Sequence, residues 1–332
     1  MVSILDNPPQ YVVNHLADLT TALDQSALAG GVPQKDGVGL LLATWNIREF
    51  GRFTIKWRSA DADSPKRDVR SLLFIATILE RFDVIALQEL QGYTDALQEV
   101  LRWLNRDNPA RWRVVLTDVV EGDAGDSERL GYLFDSSRFD LDGLVGEIVI
   151  PPEEIGNVSE TRLGRQFAKT PYAVSFRSVQ STEMAFMLIT VHLIWGSDPA
   201  LRAAEANRLA SWIADWAESP HVWDPDIFAL GDFNADRVTN PDNTINPIYA
   251  PFASILTIPA KMNGFPRTIF AAGQDKHYDM ITWHDPAGTF GLTIDDCGYF
   301  DIDTVLRPGY SLSKGSFSFR VSDHYPMWAR FA

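Results

Sequence analysis

The chain has 332 residues, 45% hydrophobic and 22% charged, a globular composition with ample length for a large core. Its 44 acidic residues outnumber 29 basic ones, for a net charge of −15, which favours solubility and leaves no obvious basic face for gripping duplex phosphates. The acidity weakens the case for a nucleic-acid partner without excluding one, because a bound divalent cation would offset repulsion towards a phosphate; the densest basic stretch runs from Lys56 to Arg70.

Residues 1–38 read as a unit of their own. Tyr11, Val12, Val13, Leu16, Leu19 and Leu23 recur at helical spacing, and Gly30-Gly31-Val32-Pro33 breaks the pattern. This predicts one amphipathic helix, strapped onto the main domain, and a linker. The main domain, residues 39–332, opens with a strand over 39–45. A helix is expected over 66–82, with Ser64-Pro65 as its cap and first-turn proline, and with Val69, Leu72, Leu73, Ile75, Ala76 and Leu79 as its apolar stripe. Strands are expected over 83–87, 112–116, 129–134 and 146–149, with a helix over 94–104. Residues 173–176 and 184–191 read as a strand pair, 199–216 as a long helix, and 227–230 and 279–283 as strands. Two more strands, 317–321 and 327–331, flank the last motif. The acidic stretch 119–127 and the proline-bearing stretch 234–268 read as loops. Strands outnumber helices, and the helices arrive between strand pairs. The fold expected is α/β, with two packed sheets and helices outside.

The single cysteine, Cys297, permits no disulfide within the chain. No stretch reaches the ~18 apolar residues of a membrane span. Asp6 and Pro8-Pro9 stand where a secretory leader needs basic and then apolar residues. A cytoplasmic monomer is the expectation.

Five segments each end an apolar run with polar residues of one chemical type: Asn46, Glu89, His192, Asp232 with Asn234, and Asp323 with His324. A polar side chain at the end of a buried strand is costly unless paired or used. Singly, each has an ordinary reading: an Asp/Asn turn, a solvated strand end, a hydrogen-bonded core histidine. Together they form an inventory that binds a hard cation through oxygen and moves protons through imidazole. Gly231 lets the chain turn after Leu230, and Asp232 and Asn234, two apart, share a face if extended.

Thr44-Trp45-Asn46-Ile47-Arg48, Leu87-Gln88-Glu89, Gly231-Asp232-Phe233-Asn234 and Ser322-Asp323-His324-Tyr325-Pro326 resemble the signature segments of the endonuclease/exonuclease/phosphatase superfamily, in its deoxyribonuclease I-like form. The resemblance spans about residues 39–332. It implies a four-layer α/β sandwich of two mostly antiparallel sheets. It also implies a Mg²⁺ ion, with Mn²⁺ as substitute, held by Asn46 and Glu89 with Asp323 close by. His324 would be general base or phosphate-binding imidazole, oriented by Asp279. His192 would be the other imidazole, with Glu128 as its carboxylate. Asp232 would orient water and Asn234 steady the phosphorane-like state. Arg48 and Lys169 match phosphate-contacting arginines. Gln91 stands where an arginine follows the metal glutamate, Asp126 stands at a minor-groove tyrosine, and the family's disulfide cysteines are absent. The chemical centre is kept and the DNA-gripping rim altered, with the 266–268 segment a candidate replacement cation. The implied function is a metal-dependent phosphodiester hydrolase, first a nuclease cleaving DNA, with a lipid-headgroup or small-molecule phosphoesterase as the alternative and an inactive binding module the remotest.

Overall fold

All eight residues from Leu40 to Ile47 are buried, which a strand achieves only when both its faces are covered. In the computed structural model that strand, β1 (Leu40–Phe50), lies inside a six-stranded sheet. The structure describes residues 2–119, 127–149, 167–181, 184–270, 276–285 and 288–332. The first sheet also holds β2 (Val84–Gln91), β3 (Trp112–Leu116), β4 (Glu128–Asp135), β10 (Ile294–Tyr299) and β11 (Met327–Phe331), in the order β10-β11-β1-β2-β4-β3. The second holds β5 (Phe139–Glu147), β6 (Tyr172–Ser178), β7 (Ala185–His192), β8 (Ile227–Ala235) and β9 (His277–Trp283), in that order. Only β1–β2 and β7–β8 pair in parallel among the described strands; the other pairs are antiparallel.

Alternation along β1 sorts its side chains. Leu40 and Leu42 point between the sheets, against Phe176, Phe186, Phe228 and Phe331. Leu41, Ala43, Trp45 and Ile47 join the outer layer under α1 (Gln10–Leu23), α2 (Val69–Leu79), α3 (Asp95–Leu104) and α6 (Ile302–Tyr310). Across the second sheet, α4 (Pro199–Ala217) and α5 (Ala250–Ile255) close the far side through Leu209, Ile213 and Phe252. The result is helix, sheet, sheet, helix: four layers, as the resemblance implied. Each fully buried Leu or Phe contributes roughly 1.5–3 kcal/mol relative to exposure. Helix α1 lays Val12, Leu19 and Leu23 into the same core as α2, and Ile4 N–H donates to Glu99 at 2.7 Å. No helix among the described residues is long and apolar enough to cross a membrane.

Several elements differ from expectation. Helix α2 starts three residues late, and Ser64 does not cap it. Residues 67–69 are tied to 54–56 as extended chain, and Asp68 caps the helix by accepting from Ser71 N–H at 2.9 Å. The 317–321 stretch alternates like a strand, yet Ser313 caps a short helix, α7 (Lys314–Ser318), into it. Strand β5 occupies 139–147, where a strand over 146–149 was expected. Within 234–268, α5 and a 3₁₀ turn over Ala260–Gly264 interrupt the expected loop. Residues 120–126 of the acidic loop, with Asp126, lie outside the described residues.

A charge network sits where β1 begins. Asp135 is buried and meets Arg111 at 2.5 Å and Lys35 at 3.3 Å; Asp83 meets Arg138 at 3.1 Å. Burial pushes the Asp135 carboxyl up, but bonds from Arg111 and Ser137 and the Lys35 and Arg111 charges outweigh it and hold it below the usual carboxylate range. With the folded pKa below the unfolded one, this stabilisation is complete above about pH 4 and is lost as pH falls towards the folded value. Asp135→Asn is expected to cost about 3 kcal/mol at neutral pH and to flatten the acid limb of a urea-midpoint profile. An acid limb identical to wild type would show that Asp135 carries none of it.

Candidate active site

The parallel pairs β1–β2 and β7–β8 bring four strand C-termini to one edge of the sandwich, and the candidate residues gather there. Strand β7 ends at His192, as expected from sequence, whereas β1, β2 and β8 run past their polar residues and bulge. Pairing registers shift between Asn46 and Phe50, between Leu87 and Leu90, and between Asp232 and Ala235. Glu49, Glu89 and Asn234 take left-handed φ values of 46°, 59° and 49°. A bulge inserts a residue and re-aims the neighbouring side chains, and left-handed non-glycine residues persist where surroundings over-determine them.

Gly231 does not turn the chain. It stays in β8 with φ 139°, and a Cβ there would stand 2.1 Å from the Val191 carbonyl oxygen, so glycine permits the close β7–β8 approach. Nor do Asp232 and Asn234 share an extended face. Asn234 N–H folds back onto Asp232 Oδ1 at 2.9 Å, and Asn234 Nδ2 donates to the Leu193 carbonyl at 2.7 Å.

Strand register fixes the centre. His192 faces Asp232 across β7–β8, and Asp232 faces Asp279 across β8–β9. Asn46 Nδ2 donates to Asp232 Oδ2 at 3.1 Å, and the same oxygen lies 3.8 Å from His192 Nε2 and 3.9 Å from His324 Nε2. His324 Nδ1 meets Asp279 Oδ2 at 2.6 Å, and His192 Nδ1 meets Glu128 Oε2 at 3.1 Å. Asp232 thus sits between two imidazole–carboxylate pairs.

Burial pushes the His324 imidazole down, but Asp279, Asp232 and Asp323 outweigh it and raise it well above the ordinary histidine value. Burial likewise lowers His192 and Lys169 opposes its charge, yet Glu128 and Asp232 leave it raised. Burial would lift Asp232 and Glu128, and the neighbouring cations hold both below the usual range. Asp279, deeply buried, is pushed up to about 6 despite His324 and Arg267. The site therefore favours the charged forms of both imidazoles and of Asp232 and Glu128.

The remaining candidates fall into three groups. Half-buried Glu89 accepts from Glu49 N–H at 2.9 Å, and ligand atoms of Glu89, Glu128 and His192 lie within 4.8 Å of one another, a cluster that could hold a metal ion. Asn46 Oδ1 is buried with no hydrogen-bond partner, an oxygen left available to a cation. Asp323 meets Arg48 at 3.4 Å, and Arg48 donates to Ser318 Oγ at 2.9 Å and stacks on Phe319. Lys169 is buried, its ammonium 3.2 Å from Glu128 and from both ring nitrogens of His192, so it faces the imidazole pair rather than solvent. Arg267, the candidate rim cation, is buried too, and donates to the carbonyls of Asp279, Phe265 and Met262. Gln91 pairs with Glu128 at the β2–β4 edge.

Sequence reading missed the supports below. Gln88 Nε2 donates to Thr190 at 2.9 Å and Thr44 at 3.1 Å, stitching the two sheets beneath the centre. Ser322 Oγ donates to the Asn46 carbonyl at 2.7 Å, and Trp45 Nε1 to the His324 carbonyl at 2.9 Å. Their strand alternation was the available signal: Thr44, Gln88 and Thr190 are polar residues on otherwise apolar inter-sheet faces.

A four-layer sandwich with two imidazole–carboxylate pairs at one edge suits hydrolysis of a phosphoester. The chain belongs to the Endonuclease/Exonuclease/phosphatase family, whose sequence model it matches over residues 43–324. No curated protein matches it in sequence. Among solved structures it is similar to the human Nocturnin catalytic domain with bound sulfate anion (18% identity, 89% of this chain and 94% of that one, TM-score 0.56). It is also similar to D. rerio TDP2 complexed with single strand DNA product (14%, 89% and 99%, 0.54) and to ANGEL2, a 2′,3′-cyclic phosphatase (14%, 88% and 95%, 0.52). At these identities the likeness is one of fold.

Proposed function

We propose that the chain is a divalent-metal-dependent phosphodiesterase and that its substrate is nucleic acid, with DNA the first to test. The observation that carries this is Asp232 standing within 4 Å of both His192 and His324, each backed by its own carboxylate. Asp232 is ionised and accepts the proton of an attacking water; Asn46 and the Asn234 N–H hold its carboxylate in place. His324, protonated and oriented by Asp279, donates to a phosphate oxygen, and His192 with Glu128 does so from the other side. Two such groups around one phosphate let one residue take a proton while the others supply hydrogen bonds to developing charge. Asn46 and Glu89, with Asp323 nearby, would hold Mg²⁺ or Mn²⁺, and such an ion supplies neutralisation of phosphate charge. TDP2 bound to a DNA product and ANGEL2 acting on a cyclic phosphate both support phosphoester chemistry on this fold.

The altered rim favours a second substrate class. With Lys169 and Arg267 buried and Gln91 standing where the family has an arginine, three positions that would grip a duplex offer it no cation, so a smaller phosphodiester is the competitor. Nicking of supercoiled plasmid that requires Mg²⁺, stops in EDTA and is lost in His192→Ala is the expected result. No nicking, beside clear hydrolysis of bis(p-nitrophenyl) phosphate in the same buffer, would move the assignment to the smaller substrate.

A further inference from the structure

We infer that Trp195, braced edge-on by the buried Tyr278, forms a stacking wall beside His324 that takes an unpaired nucleobase of a single-stranded nucleic acid, with Arg48 on Phe319 as a second platform. This rests on the phosphodiesterase reading above and names its substrate form. Tyr278, only 9% exposed, stacks on the His324 ring, centroids 5.8 Å apart at 27°, and so ties the brace of Trp195 to the reacting imidazole. Trp195 stands edge-on to Tyr278 at 5.7 Å and 89°, and 59% of it is exposed. A lone exposed apolar side chain is ordinary. This one is fixed in place: the Arg202 guanidinium lies 5.2 Å from its ring and is held by Asp236 at 2.7 Å and by the Asn234 carbonyl. Trp195 is thus wired to the centre through both Asn234 and His324.

Charge selects the ligand. Arg202 and Lys276 share the single carboxylate of Asp236, leaving one net positive charge within that cluster, and Lys276 lies 5.3 Å over the Tyr278 ring. A planar face with a cation beneath suits a flat ring that carries an anion, which a nucleotide is and an acyl chain is not. From Asp323, the chain neighbour of His324, the Arg48 guanidinium leads 3.9 Å onto the ring of Phe319, which is 40% exposed. In a duplex the base faces are occupied by one another, so only an unpaired strand can offer them. This reconciles a nucleic-acid substrate with a chain of net charge −15: stacking supplies what a basic groove would otherwise supply.

The test is fluorescence polarisation of a labelled oligothymidylate of about twelve nucleotides, in EDTA so that nothing turns over. Trp195→Ala is expected to weaken binding about tenfold, with Trp195→Phe recovering to within about threefold. A strand of abasic residues of equal length should bind weakly and be indifferent to Trp195→Ala, and the matching duplex should bind at least about tenfold more weakly than the single strand. Equal binding of oligothymidylate by wild type and Trp195→Ala, an equal loss on the abasic strand, or duplex binding as tight as single-strand binding would each overturn the wall. Absence of any binding would overturn it too. Hydrolysis of bis(p-nitrophenyl) phosphate with Mg²⁺ then leaves the phosphodiesterase reading standing, and its absence sinks that reading instead.

Discussion

Asp232→Asn is expected to lower phosphodiester hydrolysis by about 10³-fold while leaving the fold intact. The side chain keeps its shape and can still accept from Asn234 N–H, so the cavity cost is small. What it loses is the charge that four groups converge on: Asn46, the Asn234 amide, His192 and His324. Without that carboxylate the attacking water has no base, and both imidazoles lose one of the charges that raise them. Steady-state hydrolysis of bis(p-nitrophenyl) phosphate, with circular dichroism as the folding control, checks this. Activity within tenfold of wild type would remove Asp232 from the centre.

Replacing Arg67 by Met should cost about 3–5 kcal/mol and reduce activity with it. The side chain is fully buried and donates to four backbone carbonyls: Arg48 at 2.6 Å, Glu49 at 2.8 Å, and Arg320 and Val321 at 3.1 Å each. Burial lowers its pKa to about 10, with Glu49 and Glu89 working against the drop, so it stays charged at neutral pH. It clips the bulged end of β1 to the segment that leads into Ser322, Asp323 and His324. Met fills the volume but orphans four acceptors, and each buried unsatisfied carbonyl costs about 1–3 kcal/mol. A urea midpoint unchanged from wild type would show that the clip is dispensable.

The same residue shows where sequence reading runs out. Arg67 belongs to the densest basic stretch of the sequence, and in the fold it is inside. Its burial depends on carbonyls more than 250 residues away, which no local pattern contains. Lys169 and Arg267 turn inward for the same reason: a side chain's partner, not its type, decides its direction. By contrast, Asn46, Glu89, His192, Asp232 and His324 were legible because each breaks an apolar run, and a buried polar group must be used or paired. The layers were legible from those same runs. Bulges were not, since a register shift is a property of two strands and each sequence shows one. Strand β10 and helix α6 went unread, and the short apolar run 317–321 misled because, at that length, strand and helix patterns coincide.

Strand β11, residues 327–331, lies between β10 and β1 rather than at an edge. A chain emerging from the ribosome in order makes β1 and β2 long before β11, and must hold a place beside β1 for that later strand. Until it arrives, β1 exposes an unpaired edge, and Asp323 and His324 just upstream have no frame to hold them. The candidate centre therefore cannot assemble until β11 has been made, however early the residues of β1 and β2 appear.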